Sequence, residues 1–482
     1  MSKMPSTSRH FIGRERERQL LLDLTQKKSA SFVVIQGRRR IGKSRLVEEV
    51  AKQFPRFYTF SGLPPDHPTT KKEQLDEFSR QIARQFHTAQ AQYNDWGDAL
   101  WAVAERVQAG RTLLFFDEIS WMGSEDPTFL GKIKNFWDIY LQKNPQLLFV
   151  VCGSASAWIE ENILANTGFV GRISLVLTME ELPLSDCNKF WPSKISAYEK
   201  LKILAITGGI PKYLEEIYPQ KSAEDNIKRL CFSDGGFLVE EFDHIFSGIF
   251  LRSSSLYKQI LRSLKNKPCT QEEISQTLGG ETKLGRLSEY LWELELAGFI
   301  AKDHMWNFKS GQDTRQRRYR LSDNYIRFYL KYIEKNRSKI ERNAFAFKSL
   351  TSLPEWNAIM GLQCENLVLH NREQVRKLLG IAPEDVICEN PFYQKPTKRI
   401  PGCQIDYLIQ TKFGTLYVCE IKFSKSPIGS TISQEMEQKL RVLTVPRGFS
   451  LRPVLLHVNG VTEEVVDADY FAAIIDLGQL LK

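Results

Sequence analysis

The chain has 482 residues, of which 42% are hydrophobic and 26% charged, and a formal net charge of +9. This composition is typical of a globular protein of several domains and excludes extensive intrinsic disorder. No apolar run reaches the roughly 18 residues of a membrane helix, and Met1–His10 lack the apolar core of a signal peptide. The eight cysteines are scattered, a pattern typical of neither a disulfide framework nor a zinc ribbon. We therefore expect a cytoplasmic protein with no membrane partner.

The hydrophobic pattern divides the chain into five stretches. Residues 1–184 alternate short apolar strands with helical patterns, which is typical of a parallel α/β sheet. Residues 185–250 are mostly helical, and residues 251–324 are expected to form three short helices and a β-hairpin. Residues 325–352 form a charged helical connector, and residues 353–482 form a second α/β domain. We expect strands at Ser31–Gln36, Phe57–Ser61, Thr112–Phe116, Leu147–Cys152, Ile173–Leu177, Ile405–Gln410, Leu416–Phe423 and Pro453–Val458.

The strongest motif is a glycine-rich loop between an apolar strand and a helical pattern. The segment Gly37–Ser44 reads GRRRIGKS and fits the P-loop pattern G-x-x-x-x-G-K-[ST]. Its glycines permit the turn that aims backbone amides at phosphate oxygens, while Lys43 is expected to reach the β- and γ-phosphates and Ser44 to ligate Mg²⁺. The sequence therefore predicts a P-loop NTPase core. The expected nucleotide contacts are Gly37, Arg38, Arg39, Arg40, Ile41, Gly42, Lys43, Ser44 and Arg45.

Two carboxylates follow the predicted strand Thr112–Phe116. Asp117, at the carboxyl end of that strand, is placed to hold the Mg²⁺. Glu118 is placed to activate the attacking water as a general base. The next predicted strand leads to Ser154, whose hydroxyl can sense the γ-phosphate.

Short motifs in the first 250 residues resemble those of the AAA+ and STAND ATPases. Phe11–Glu17 reads FIGRERE and is similar to a box that lies beside the adenine in that family, which implies contacts from Gly13 and Arg14. The segment Gly208-Gly-Ile-Pro211 resembles the motif of the family's helical lid, which packs against the nucleotide through Pro211. With the LPLS segment at 182–185, the pattern resembles the archaeal-type ATPases. The resemblance implies ATP as the nucleotide and a helical lid at residues 185–250.

Gly171-Arg172 resembles the position of an arginine that the family uses near the γ-phosphate. The resemblance implies a catalytic role for Arg172. Three arrangements remain open: action within the same chain, action in trans on a neighbouring subunit, or simple pairing with an acidic residue.

The excess positive charge lies in one segment. Residues 252–348 contain 20 lysines and arginines against 11 acidic residues, and the rest of the chain is neutral. The order helix, helix, helix, hairpin within residues 251–324 is that of a winged helix-turn-helix. We expect the side chains of Lys283, Arg286, Arg317 and Arg318 to be exposed, where they suit phosphate contacts. We expect a nucleic-acid partner, with DNA as the favoured polymer; a solvated basic face, or a winged helix that joins domains or binds proteins, is the alternative.

Charged residues also interrupt two predicted strands near the C-terminus. A turn centred near residue 413 would place Asp406 opposite Glu420, with Lys422 on the same face. This set resembles the core of the PD-(D/E)xK nuclease superfamily, and Glu365 is similar to an acidic residue that some members carry on the first helix. The resemblance implies a restriction-endonuclease-like domain in which Asp406 and Glu420 hold Mg²⁺ while Asp406, Glu420, Lys422 and Glu365 are catalytic. The alternative is a surface ladder of ion pairs.

Two functions from different classes follow. In the first, this α/β multidomain protein binds and hydrolyses ATP with Mg²⁺, and its nucleotide state controls nucleic-acid binding or cleavage. In the second, it is a nucleotide-dependent switch or scaffold that binds a protein partner or a second copy, with a catalytically silent C-terminal domain.

Overall fold

The computed structural model describes residues 11–64, 69–123, 126–154, 156–249, 254–280, 284–398 and 400–482. The chain forms two compact units. The first comprises Met1–Glu180, Asp243–Ser254 and Leu296–Gly298, and the second comprises Glu181–Phe242, Ser255–Glu295 and Phe299–Lys482. Within the described ranges, no helix is long and apolar enough to cross a membrane.

The first unit is built on a five-stranded parallel sheet, which confirms the predicted α/β core. Its strands are β1 (Ser31–Gly37), β2 (Arg56–Ser61), β3 (Thr112–Asp117), β4 (Leu147–Gly153) and β5 (Ile173–Met179). Their order is β2-β3-β4-β1-β5, with β1 between β4 and β5. Because the strands are parallel, the carboxyl ends of β1, β3 and β4 meet at one edge of the sheet.

Aromatic side chains fill the core of the first unit. The ring of Phe116 lies 5.6 Å from that of Phe60, 5.7 Å from that of Phe78 and 5.2 Å from that of Phe149, all edge to face. This packing fixes β3, whose last residue is Asp117.

The helices of the first unit are α1 (Glu15–Asp23), α2 (Lys43–Ala51), α3 (Lys71–Phe86), α4 (Trp96–Ala104), α5 (Ile119–Met122), α6 (Phe129–Ile139) and α7 (Ser156–Ile159).

The second unit opens with helices, in line with the predicted helical stretch. These are α8 (Leu184–Cys187), α9 (Ala197–Thr207), α10 (Pro211–Glu215), α11 (Ala223–Cys231) and α12 (Phe237–Ile249), whose last residues belong to the first unit. The basic middle follows as α13 (Ser254–Leu264), α14 (Gln271–Thr277), α15 (Leu284–Leu296), β6 (Ile300–Trp306) and β7 (Asp313–Leu321). Thr270 caps α14 in a capping box with Glu273.

The hairpin of β6 and β7 packs against the C-terminal sheet. The indole nitrogen of Trp306 donates to Gln410 at 2.6 Å, and the Gln410 amide donates to the carbonyl of Phe308 at 2.7 Å. Trp306 and Phe308 share a hydrophobic core with strand residues of the C-terminal domain. One side of the predicted wing is therefore buried, and its assignment as part of a winged helix stays a prediction.

The connector residues 325–330 are also buried, with Tyr325, Phe328 and Leu330 fully enclosed. This part of the predicted charged connector therefore contributes to the core of the second unit.

The remaining helices of the second unit are α16 (Asn324–Phe328), α17 (Arg337–Glu341), α18 (Trp356–His370), α19 (Arg372–Leu378), α20 (Thr431–Val442) and α21 (Glu463–Asp467).

The C-terminal sheet has five strands in the order β12-β11-β10-β9-β8. They are β8 (Val386–Gln394), β9 (Cys403–Thr411), β10 (Thr415–Phe423), β11 (Ser450–Val458) and β12 (Ala473–Asp476). The strands β8, β9 and β10 are antiparallel, whereas β10, β11 and β12 are parallel. The sequence predicts β9, β10 and β11 and misses the two edge strands.

Candidate nucleotide site and carboxylate cluster

The predicted phosphate-binding loop connects β1 to α2. Gly37 has φ +139°, and a Cβ atom there would lie only 2.5 Å from the carbonyl oxygen of Met179. Gly42 has φ +94° and precedes the first helical residue. Only glycine accommodates the first position, and it is favoured at the second.

Lys43 points into the loop. Its ammonium donates to the carbonyl oxygens of Gly37 at 2.8 Å and Arg38 at 3.1 Å, and its side chain is buried. A buried ammonium needs such partners. The charge is therefore already held inside the loop that would surround the phosphates.

Three donors orient Asp117. The Ser44 hydroxyl donates to Oδ2 at 2.7 Å, while the Cys152 thiol and the Glu118 amide donate to Oδ1 at 2.7 Å and 3.0 Å. Complete burial, together with the charge of Asp117, raises the pKa of the Cys152 thiol, which therefore stays protonated as a donor. Ser44 and Asp117 thus present two oxygens of the kind that a divalent cation uses.

Glu118 is held by Ser154. The Ser154 amide donates to Oε2 of Glu118 at 3.0 Å, and the Ser154 hydroxyl lies 2.9 Å from Oε1 and 3.0 Å from Oε2. Glu118 itself adopts φ +50°, in the left-handed region. Such a backbone conformation costs about 1–3 kcal/mol and is concentrated at functional sites.

Arg14 ties the predicted Gly-Arg-Glu box to the loop. It is buried, occupies the N-cap position of α1 without a capping hydrogen bond from its side chain, and pairs with Glu17 at 3.0 Å. Its guanidinium donates to the carbonyls of Ile41, at 3.3 Å, and Glu180. Gly13, also buried, immediately precedes it. The structure therefore brings this box next to the P-loop, whose residue Ile41 is itself buried.

The other arginines of the loop occupy different environments. Arg38 is buried, and Arg40 is half-buried with φ +71°. Arg39 donates to the carbonyl of His244 at 2.8 Å. Arg45, on the exposed face of α2, lies 3.5 Å from Glu48. Their contacts with a nucleotide stay predictions.

Pro211 is the first residue of α10 in the second unit, with Ile210 as the cap residue. Its position at the start of a helix agrees with the fixed φ of proline. The contact of Pro211 with the nucleotide that the family resemblance implies stays a prediction.

Arg172 is engaged by Asp138 of α6. The two side chains make hydrogen bonds of 2.7 Å and 2.9 Å in a bidentate arrangement. Hydrogen bonding to Arg172 is the largest cause that lowers the pKa of Asp138 to about 2. Of the three arrangements open for Arg172, the structure has the ion pair with an acidic residue, and a catalytic role stays a prediction.

The C-terminal hairpin brings its predicted residues together. Tyr407 pairs with Cys419, so the same register places Asp406 opposite Glu420, as the turn position predicts. Both carboxyl groups are buried. The Lys422 ammonium lies 3.0 Å from Oε1 of Glu420, and the amide of Ile421 donates to Oδ2 of Asp406 at 2.9 Å.

Glu365 belongs to the same cluster. It lies on α18, and Glu365 and Glu420 both act on Asp406 electrostatically. Burial, and then these two neighbouring carboxylates, raise the pKa of Asp406 well above its ordinary value. Burial likewise raises the pKa of Glu365, against the opposing charges of Arg327 and Arg320.

Lys439 of α20 is a member of the cluster that the sequence does not reveal. Its ammonium contacts Oε2 of Glu420, so the two oxygens of Glu420 face Lys439 and Lys422. Among the described residues, no three His, Cys, Asp or Glu side chains are arranged to hold a metal. As arranged, Glu420 is paired with two lysines, and the coordination of Mg²⁺ by Asp406 and Glu420 stays a prediction.

The basic middle differs from its prediction at one residue. Arg318 is part-buried and not exposed. Its guanidinium donates to the carbonyl of Pro268 at 2.9 Å and lies 3.3 Å from the carboxylate of Glu273. Arg286 and Arg317 are exposed, as expected. Lys283 lies outside the described residues.

A parallel sheet with a P-loop, a lysine inside it and two carboxylates at the carboxyl end of β3 defines a P-loop ATPase core. Residues 11–217 match a family described as an ATPase domain predominantly from Archaea. Residues 11–217 are therefore similar to the ATPase domains of this family, which supports ATPase activity.

Other proteins are similar to this chain at low identity. An uncharacterized protein of Methanocaldococcus jannaschii is 26% identical over 360 residues, which are 74% of this chain and 76% of that protein. The Walker-type ATPase of Pyrococcus abyssi is similar over 68% of this chain and 99% of its own, with 16% identity and a TM-score of 0.46. The ORC2 protein of Aeropyrum pernix, in ADPNP–ADP complexes, is similar over 70% of this chain and 97% of its own, with 14% identity and a TM-score of 0.42.

Proposed function

We propose that the first unit binds ATP with Mg²⁺ and that ATP hydrolysis controls how the second unit contacts nucleic acid, with DNA as the favoured polymer. The observation that carries the nucleotide part is the convergence of Lys43, Asp117 and Glu118 at the carboxyl edge of β1 and β3. The observation that supports the nucleic-acid part is the basic segment 252–348, in which Arg286 and Arg317 are exposed.

The residues present fit a magnesium ion that accompanies ATP. Ser44 and Asp117 would hold it, since the hydroxyl and carboxylate oxygens lie 2.7 Å apart and face each other. When bound, the ion neutralises charge on the phosphate oxygens. Cys152 helps because its thiol fixes the second carboxylate oxygen of Asp117.

The remaining chemistry belongs to three side chains. Lys43 exchanges its loop carbonyls for phosphate oxygens and thereby holds the β- and γ-phosphates. Glu118 takes a proton from the attacking water. Ser154 restrains Glu118, and its hydroxyl can donate a hydrogen bond to a γ-phosphate oxygen.

The test uses the full chain and a labelled DNA duplex. Phosphate release from ATP is measured with Mg²⁺ and with EDTA, and DNA affinity is measured by fluorescence anisotropy with ADP and with a non-hydrolysable ATP analogue. We expect release to require Mg²⁺ and DNA affinity to differ at least severalfold between the two nucleotides. Equal DNA affinities in both states would contradict nucleotide control.

The pairing of Glu420 with two lysines favours a second candidate, in which the C-terminal domain binds a partner and cuts nothing. Supercoiled plasmid incubated with the protein and Mn²⁺ distinguishes the two. Intact plasmid is expected for a silent domain. Nicking that disappears in Asp406→Ala would instead establish cleavage at this cluster.

A further inference from the structure

Alternate residues of β7 use their side chains differently. On one face, the Gln316 amide donates to the carbonyl of Tyr393 at 3.0 Å, Arg318 lies 3.3 Å from Glu273, and Arg320 forms a buried ion pair with Asp303 at 3.1 Å. These contacts hold the hairpin within the second unit. The polar groups of this face are therefore occupied by structural partners.

The opposite face of the same strand carries Arg315 and Arg317. Both side chains are exposed, and neither forms an ion pair within the part of the chain that the structure describes. Residues two apart on a strand lie roughly 6.6–6.8 Å from each other. The two guanidinium groups can therefore contact two different anionic groups of one extended ligand.

The two arginines line a groove of about 370 Å³. Its wall also includes Lys395, which follows β8 in the C-terminal domain, and residues 270–272 at the start of α14. Glu272 is the one carboxylate among the lining residues, against the three cations Arg315, Arg317 and Lys395. The groove therefore has an excess of two positive charges, drawn from the hairpin and from the C-terminal domain.

We propose that this groove holds the phosphodiester backbone of a nucleic acid, with Arg315, Arg317 and Lys395 as its phosphate contacts. Guanidinium groups bind phosphate oxygens in a bidentate manner, and lysine adds a point charge. The proposal rests on the proposed nucleic-acid role and deepens it. It assigns phosphate contacts to Arg315 and to Lys395 of the C-terminal domain instead of to Arg318, whose guanidinium already contacts Pro268 and Glu273.

The experiment measures the salt dependence of binding by the full chain. A labelled DNA duplex is titrated at 50–200 mM KCl, and log K is plotted against log salt for wild type, for each single variant Arg315→Ala, Arg317→Ala and Lys395→Ala, and for the triple variant. Each lost phosphate contact is expected to reduce the slope by about 0.9, and the triple variant by between two and three times that amount. Arg441→Ala on α20 is the matched control, because it removes one exposed cation outside the groove.

The outcomes separate the two proposals. A slope unchanged in the triple variant, or reduced equally by Arg441→Ala, would overturn the groove and leave a nucleic-acid role intact. Absence of DNA binding by wild type at 50 mM KCl would overturn both. ATP turnover, measured in the same preparations, is expected to be unchanged by the groove variants without DNA.

Discussion

The hydroxyl of Ser154 lies 2.9 Å from Oε1 and 3.0 Å from Oε2 of Glu118, and the Ser154 amide donates to the same carboxylate at 3.0 Å. The residue expected to sense the γ-phosphate thus holds the residue expected to activate water. A phosphate oxygen that accepts a hydrogen bond from the Ser154 hydroxyl would compete with Glu118 for that donor. Nucleotide binding would in this way change the restraint on the general base.

Ser154→Ala tests this relationship. The change removes the hydroxyl but keeps the amide, so we expect ATP affinity within about threefold of wild type and turnover reduced on the order of tenfold, the effect of one charge-assisted hydrogen bond. Steady-state phosphate release and nucleotide titration measure the two. Ser156→Ala is the matched control, because its buried hydroxyl has no hydrogen-bond partner among the described residues. An equal loss of turnover in both variants would argue against a specific role for Ser154.

Lys43→Ala should abolish measurable ATP binding. The ammonium is the side-chain cation that the loop directs inward, and each charge-assisted hydrogen bond lost costs about 1.5–3 kcal/mol. Titration with a fluorescent ATP analogue measures the effect, which we expect to exceed about 100-fold. Arg45→Ala, which removes an exposed cation two residues along α2, should bind nearly as wild type. Similar affinities for wild type and Lys43→Ala would refute the phosphate-binding role.

The ion pair of Arg172 and Asp138 predicts a pH-dependent stability. Hydrogen bonding to Arg172, the largest cause, lowers the pKa of Asp138 from 3.8 to about 2. Because the folded-state pKa is the lower one, the pair stabilises the domain above about pH 4, and this stabilisation is lost as pH falls from about 4 through 2.

We expect Arg172→Met to melt at a lower temperature than wild type at pH 7, with a difference that shrinks below pH 4. Thermal denaturation followed by circular dichroism from pH 7 to pH 2.5 measures it. An unchanged melting temperature at pH 7 together with lost ATP turnover would instead support the catalytic role that the family resemblance implies.

Lys439→Met should destabilise the second unit by roughly 1–3 kcal/mol, since it leaves a buried carboxylate oxygen of Glu420 without its cation. Urea denaturation compares it with Arg441→Met, which lies on the same helix and pairs with Glu437 on the surface. The surface variant should change stability by less than about 0.5 kcal/mol. Equal effects of the two variants would mean that Lys439 does not neutralise the cluster.

The sequence predicts what depends on local pattern. The strands β1, β3 and β4 of the first sheet are mainly apolar runs, and β1 is buried at every residue. The position of the turn after Thr411 fixes the register that sets Asp406 opposite Glu420. The edge strand β8 escapes prediction because Pro391 and polar residues interrupt it, and β12 is too short for a periodic signal.

What the sequence cannot predict depends on packing between distant segments. Cys152 reaches Asp117 only because β4 pairs with β3, and Lys439 reaches Glu420 only because α20 presents that face to the sheet. The ion pair of Arg172 with Asp138 is likewise one of three arrangements that the sequence allows. The sequence predicts an exposed Arg318, yet strand alternation turns its side chain inward.

The most direct test of the account is ATP binding and hydrolysis by Glu118→Gln. The change removes the proposed general base but no expected phosphate contact, and it preserves the size of a side chain that accepts hydrogen bonds from Ser154. We expect ATP affinity equal to that of wild type and phosphate release slowed by about 10²–10⁴-fold, the typical contribution of a general base. Equal rates of phosphate release by wild type and Glu118→Gln would contradict the assignment of Glu118 and, with it, the proposed mechanism of hydrolysis.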